Sequence, residues 1–187
     1  MLSGSDLASA NLVEANLSST DLRDSSLVGA NLEKAALFRS SLAGSSADKA
    51  NFSRVEGYRV DFSSVSAQGA SFVSAELQRA NFSSARLDRA DFQKAELGRA
   101  NFTDATIADA NFARSNLSRV NLSQARLGGT LDLTGAFLFL TRLEGLDLSQ
   151  AKGLQQGQID QACGDAATKL PAGIAPPASW PCKPDEE

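Results

Sequence analysis

The sequence of 187 residues predicts an all-β solenoid, a β-helix with four sides, and three observations carry that reading. A large apolar residue recurs every five positions, and a second pattern of period twenty lies over the first. The composition also withholds the makings of a mixed core, with one Trp, one Tyr, one Met and no His against abundant Ala, Ser, Leu and Asn. A repetitive core must therefore replace an irregular one.

The five-residue period is nearly unbroken. Of the 26 centres from Leu2 to Leu127, 23 are Leu, Phe or Ile, the exceptions being Ala47, Gly57 and Ala67. The residue two before each centre is always Ala, Ser, Thr or Val, and the one immediately before is usually Asn, Asp, Ser or Glu. Five fits neither a helix at 3.6 nor a flat strand at 2, so the backbone must turn a corner in every repeat. The centre and the small residue then point inward, and the other three face solvent.

The twenty-residue period gives the number of sides. Phe occupies alternate centres at 52, 62, 72, 82, 92, 102 and 112, which requires an even number of repeats per coil. Glu56, Glu76 and Glu96 recur at twenty, as do Arg39, Arg59, Arg79, Arg99 and Arg119, so each coil has four sides of five. Phe then lines two opposite walls. The thirty centres in two registers give seven and a half coils, and at the spacing of paired strands a rod about 36 Å long. Val55, Val60 and Val65 stand near the three weak centres and refill the core volume lost there.

The frame breaks at Gly128-Gly129-Thr130, after which Leu133, Leu138, Leu143 and Leu148 restart the repeat one residue out of register. One inserted residue implies a corner bulge, for which adjacent glycines supply a permissive backbone. The solenoid is read as residues 1–154 and a terminal segment as 155–187. In that segment a short helix is expected from about Gln155 to Cys163, with Gly164 as its stop. A tail with Pro171, Pro176, Pro177, Pro181 and Pro184 follows, extended and irregular, with Leu170, Ile174 and Trp180 as anchors.

Cys163 and Cys182 are the only thiols. A disulfide would pin the tail over the terminal helix; two unpaired thiols in a reducing cytosol are the alternative. Pairing is favoured because a proline-rich tail that returns to one place needs fixation.

The repeat Ala-(Asp/Asn)-(Leu/Phe)-x-x, as in Ala80-Asn81-Phe82 and Ala90-Asp91-Phe92, resembles that of the pentapeptide-repeat family over roughly residues 2–154. The resemblance implies a right-handed quadrilateral β-helix. The ending, Asp160-Gln161-Ala162-Cys163-Gly164-Asp165 with Lys169-Leu170-Pro171, Trp180 and Pro181-Cys182, looks like that of exported proteobacterial members. It implies an exported or periplasmic protein, a cytoplasmic one being the alternative. In such proteins a signal peptide and a short segment precede the repeats, whereas this chain opens inside a repeat at Leu2, as expected of a trimmed form.

Composition narrows the function. Without His, the usual base of a catalytic triad and the commonest zinc ligand are missing, so neither an enzyme nor a metal or cofactor site is read. The net charge is −4, from 18 basic and 22 acidic residues interspersed, and no charged block would tether nucleic acid or lipid. No apolar run approaches the 18 or more residues of a membrane helix. Thr is too scattered for an ice-binding ladder.

Two surface features remain. The arginine column, Arg39, Arg59, Arg79, Arg99 and Arg119, is joined by Phe38 and Tyr58 and forms a candidate partner face for something anionic or aromatic. Glu56, Glu76 and Glu96, three residues before Arg59, Arg79 and Arg99, are expected to neutralise it. On the same side beyond the frame break, Phe137, Phe139 and Leu140 are all outward and apolar. The chain's own tail with Trp180 is the favoured cover, and a second copy near the C-terminal end is the other candidate. The function read is a non-enzymatic structural or interaction module with an unknown protein partner. The alternative is a DNA-mimicking protector of DNA gyrase, as in the family's best-understood branch, although Arg and Lys interrupt the acidic surface such mimicry needs.

Overall fold

The computed structural model describes residues 2–182, so Met1 and the stretch 183–187, with Pro184, lie outside the described residues. From Asp6 to Thr106 every fifth residue, the one before each centre, forms a parallel bridge with the residue twenty further on. Four columns result, running from Asp6, Asn11, Asn16 and Asp21, one on each side of the coil. They are called the first to fourth sides here, so the first lies opposite the third. In the ladder the Leu77 N–H donates to the Glu96 carbonyl at 2.8 Å, and the Glu96 N–H to the Ala75 carbonyl at 2.9 Å. Each corner is a four-residue turn, closed for instance by the Ala80 N–H on the Leu77 carbonyl at 3.0 Å.

The corner explains the residue types that the repeat allows. Its third residue has φ near +57° in almost every repeat, from Ser9 at 57° through Arg59 at 58° to Arg119 at 56°. A β-branched side chain is a genuine outlier there. None of the 26 residues at five-residue steps from Gly4 to Gly129 is β-branched or aromatic. The Asn or Asp before each centre holds the turn locally, as the sequence predicts. Asn81 Oδ1 accepts the Ser83 N–H at 3.1 Å and Asp91 Oδ1 the Gln93 N–H at 3.0 Å. The same side chains also link coils, Asn101 Nδ2 donating to Asn81 Oδ1 at 3.2 Å and Asn111 Nδ2 to Asp91 Oδ1 at 3.0 Å.

Inside, phenylalanines of the second side stack coil on coil, as do those of the fourth, with ring centroids 4.7 to 5.0 Å apart. The two stacks meet edge-to-face across the core at 5.4 to 6.0 Å. The weak centre Gly57 is filled from its neighbours: a Cβ there would lie 2.8 Å from Leu77 Cδ2 and 3.1 Å from Val60 Cγ1.

The register break is one residue wide. Thr106 still pairs with Arg126 at an offset of twenty, whereas Asn111 pairs with Asp132 at twenty-one. Gly129 takes φ +63°, and Asp109 Oδ1 closes the bulge by accepting the Thr130 N–H at 2.7 Å.

Helix α1, Gln156–Ile159, is a single turn and shorter than the sequence predicts. The chain leaves it early because Cys163 returns to the ladder, its N–H donating to the Thr141 carbonyl at 2.8 Å as it pairs with Arg142. Gly164 is therefore no helix stop; a Cβ there would overlap the Trp180 ring. Ile159 and Ala162 join the core, and Lys169 continues the ladder against Asp147.

Candidate functional site

The third side carries the surface features that the sequence singles out. Its bridge column runs Asn16, Ala36, Glu56, Glu76, Glu96, Asn116 and Phe137. Its far edge is the column of corners holding the five arginines, all exposed, with φ between 54° and 60°. Because each guanidinium leaves the backbone from the same strained corner, the arginines form a straight edge rather than a scatter.

The expected neutralisation does not occur. Among the described residues no ion pair joins Glu56, Glu76 or Glu96 to an arginine of this edge. The left-handed corner separates the mid-face carboxylates from the edge, and Glu96 instead accepts from Asn116 Nδ2 at 2.8 Å. Arg59 lies over its own neighbour, its Cζ 5.3 Å from the Tyr58 ring centroid. Phe38, the equivalent residue one coil earlier, is 39% exposed.

The other edge of this side was not read from the sequence as a feature. Its corners are Glu14, Lys34, Arg54, Ser74, Lys94 and Arg114, the last two again exposed. The signal existed, since these cations also recur at multiples of twenty, but Ser74 interrupts them. Lys34 pairs with Glu14 at 3.1 Å and Arg54 with Glu33 at 3.0 Å.

At its C-terminal end the third side turns apolar. Phe137 is 48% and Phe139 43% exposed, with rings 6.2 Å apart and 12° from parallel, and Leu140 takes the corner at φ 54°. Among the described residues, to Cys182, the tail leaves these phenylalanines exposed, contrary to the cover expected of it, because three attachments hold it elsewhere. Cys182 is bonded to Cys163, with Cα atoms 5.3 Å apart. Trp180 Nε1 donates to the Ala162 carbonyl at 2.7 Å. The Gln156 amide exchanges two hydrogen bonds with the Ala175 backbone, each 2.9 Å. A shallow cavity of about 270 Å³ remains between Asp165, Thr168, Pro177 and Trp180.

The Asp165 carboxylate is held below its ordinary range first by the Gly145 N–H, at 3.0 Å, and then by Thr168. Its contribution to this junction is present above the ordinary carboxylate value and is lost as pH falls through the lowered one.

Over residues 2–37, 58–93 and 95–131 the chain matches the family model of pentapeptide repeats, in eight copies. The chain belongs to the pentapeptide repeat family. Proteins of this family fold as right-handed β-helices, the fold to which the parallel ladders belong. Among solved structures, trypsin-treated forms of QnrB1, a plasmid-mediated fluoroquinolone resistance protein, are similar in fold. One superposes with a TM-score of 0.55 at 16% identity, over 82% of this chain and 81% of that one. Another gives 0.53 at 16% identity, over 87% of each. HetL, a pentapeptide repeat protein involved in heterocyst differentiation regulation from the cyanobacterium Nostoc, gives 0.49 at 21% identity over 91% of this chain and 89% of its own. No curated protein sequence matches the chain. Pentapeptide repeat proteins are in general structural or interaction modules. No helix among the described residues is long and apolar enough to cross a membrane.

Proposed function

We propose that the protein is a non-enzymatic interaction rod, a right-handed quadrilateral β-helix over residues 1–154 closed at one end by the segment 155–187, and that its third side is the working face. The observation that carries this reading is the filled interior. Stacked phenylalanines and leucines occupy the core of every central coil, so recognition falls to the faces. Among the described residues only the third side combines a straight cationic edge with exposed aromatics towards both ends. The disulfide supports work in an oxidising compartment, outside the cytosol.

A photo-crosslinking residue at Gln78, beside Arg79 at the arginine edge of the third side, and another at Ser63, on the fourth side, test the assignment in cells that make the protein. Adducts are expected from position 78 and few from 63. Equal yields from the two, or none from 78, sink it.

Phe137, Phe139 and Leu140 are proposed as the docking patch for a second copy, since exposed paired aromatics favour burial. Phe139→Glu places a charge inside that contact. Light scattering is expected to give twice the chain mass for the natural protein and the single-chain mass for the variant, with unchanged far-UV circular dichroism. A natural protein of single-chain mass refutes the dimer.

Protection of DNA gyrase is the second reading, favoured by the fold shared with QnrB1. A supercoiling assay decides it: no protection or inhibition at micromolar protein removes it.

A further inference from the structure

The overall charge of −4 hides a strong asymmetry. Five consecutive coils cross the third side as the stretches 34–39, 54–59, 74–79, 94–99 and 114–119. Their sequences are Lys-Ala-Ala-Leu-Phe-Arg, Arg-Val-Glu-Gly-Tyr-Arg, Ser-Ala-Glu-Leu-Gln-Arg, Lys-Ala-Glu-Leu-Gly-Arg and Arg-Ser-Asn-Leu-Ser-Arg. Nine cations stand against three carboxylates, a net of +6, so the rest of the chain carries −10. All nine cations lie at corners, in two parallel rails along the edges, and the carboxylates occupy the mid-line.

We infer that this face binds an extended acidic polysaccharide, a linear chain of carboxylated sugars laid along the arginine edge. The inference rests on the reading of the third side as the working face. The arginine rail offers one cation per coil, at the 4.7 to 5.0 Å repeat that the stacked rings record. An extended 1,4-linked chain of uronic acids advances by about one such step per sugar and turns from sugar to sugar, so in a two-fold chain every second carboxylate faces the rail, about two coils apart, and meets alternate guanidiniums in charge-assisted pairs. The mid-line carboxylates Glu56, Glu76 and Glu96 repel the polymer from the centre and keep it at the edge. Phe38, adjacent in sequence to Arg39 and exposed, offers an apolar ring face on which a sugar ring can lie. On the second rail Lys34 and Arg54 are paired with Glu14 and Glu33, and Lys94 and Arg114 add to the positive potential of the same face.

Other polyanions fit less well. Same-side residues of an acidic peptide strand repeat at about 6.7 Å, out of step with the rail. Duplex DNA places a charge every ~1.7 Å along its axis, and its phosphates wind away from a straight edge within half a turn.

The test uses the full, disulfide-bonded chain with size-fractionated polygalacturonate, the same polymer fully methyl-esterified, and duplex DNA of similar length, by fluorescence anisotropy at low salt. One variant combines Arg59→Glu, Arg79→Glu and Arg99→Glu. Glu14 already occupies such a corner at φ 57°, so the backbone accepts glutamate there. A charge-matched control on the opposite, first side combines Arg86→Glu, Arg89→Glu and Arg126→Glu, and circular dichroism checks both folds. The natural protein is expected to bind the charged polymer and not the ester. The rail variant should weaken binding about tenfold or more, and the control no more than about twofold. Equal losses in the two variants, binding of the ester, tighter binding of DNA, or no binding by the natural protein each overturn the inference. If the natural protein binds no polygalacturonate while position 78 still gives adducts, this ligand is wrong and the working face stands.

Discussion

Phe82→Ala is expected to cost about 4 kcal/mol of folding stability, the largest loss of any single substitution considered. Phe82 is fully buried and touches four other rings. It stacks on Phe62 and Phe102, each at 5.0 Å, and meets Phe72 and Phe92 edge-on, each at 5.7 Å. Removing it opens a cavity walled by rings whose backbones are fixed in the ladder, so the walls cannot close in. Each coil of a solenoid is coupled only to its neighbours, and a defect in a central coil weakens the link between the two halves of the rod. Phe82→Leu should recover most of the loss, because Leu22 and Leu42 already occupy the same wall nearer the N-terminus. Urea unfolding measures all three proteins. A loss below about 1 kcal/mol for the alanine variant would mean that the phenylalanine stack adds little beyond the ladder.

The same stack shows why the architecture is legible in the sequence. A repeat unit states its inward pattern once per coil, so the alternation of Phe, the twenty-residue columns and the one-residue slip at Gly128-Gly129 each appear as a period or a break in one. For Cys163 and Cys182 the sequence names the only partners available but leaves free thiols open, and the structure shows the bond.

What escapes the sequence is what depends on handed geometry or on a single contact. The left-handed corner leaves only a negative trace, the exclusion of β-branched and aromatic residues, and that exclusion does not predict a direction for Arg59 or Glu56. Spacing by three therefore suggested ion pairs that the corner keeps apart. The second cationic rail was obscured by one serine and by a net charge that averages over four sides. The path of the tail was decided by one pair of hydrogen bonds from Gln156 and by the space above Gly164, neither of which has a periodic signature.

Loss of the disulfide should separate the tail from the rod. The pair Cys163→Ser and Cys182→Ser removes a cross-link over a sequence separation of 19, worth about 3 kcal/mol in the chain-entropy model. In a solenoid that loss is not shared evenly, because stability is a sum of local terms. It falls on the segment that the cross-link closes, where Trp180 lies against Gly164 and donates to the Ala162 carbonyl. Trp180 is the only tryptophan, so its fluorescence reports this segment alone, while far-UV circular dichroism reports the coils. In the natural protein the two signals should change together with denaturant. In the double-serine variant the fluorescence transition should come first, at a denaturant concentration lowered by the equivalent of about 3 kcal/mol, with the coil transition nearly unmoved. Coincident transitions in the variant would mean that Gln156, Ala162 and Gly164 hold the tail without the cross-link. A coil transition that fell equally far would mean that the closed end is required for the whole rod to stand.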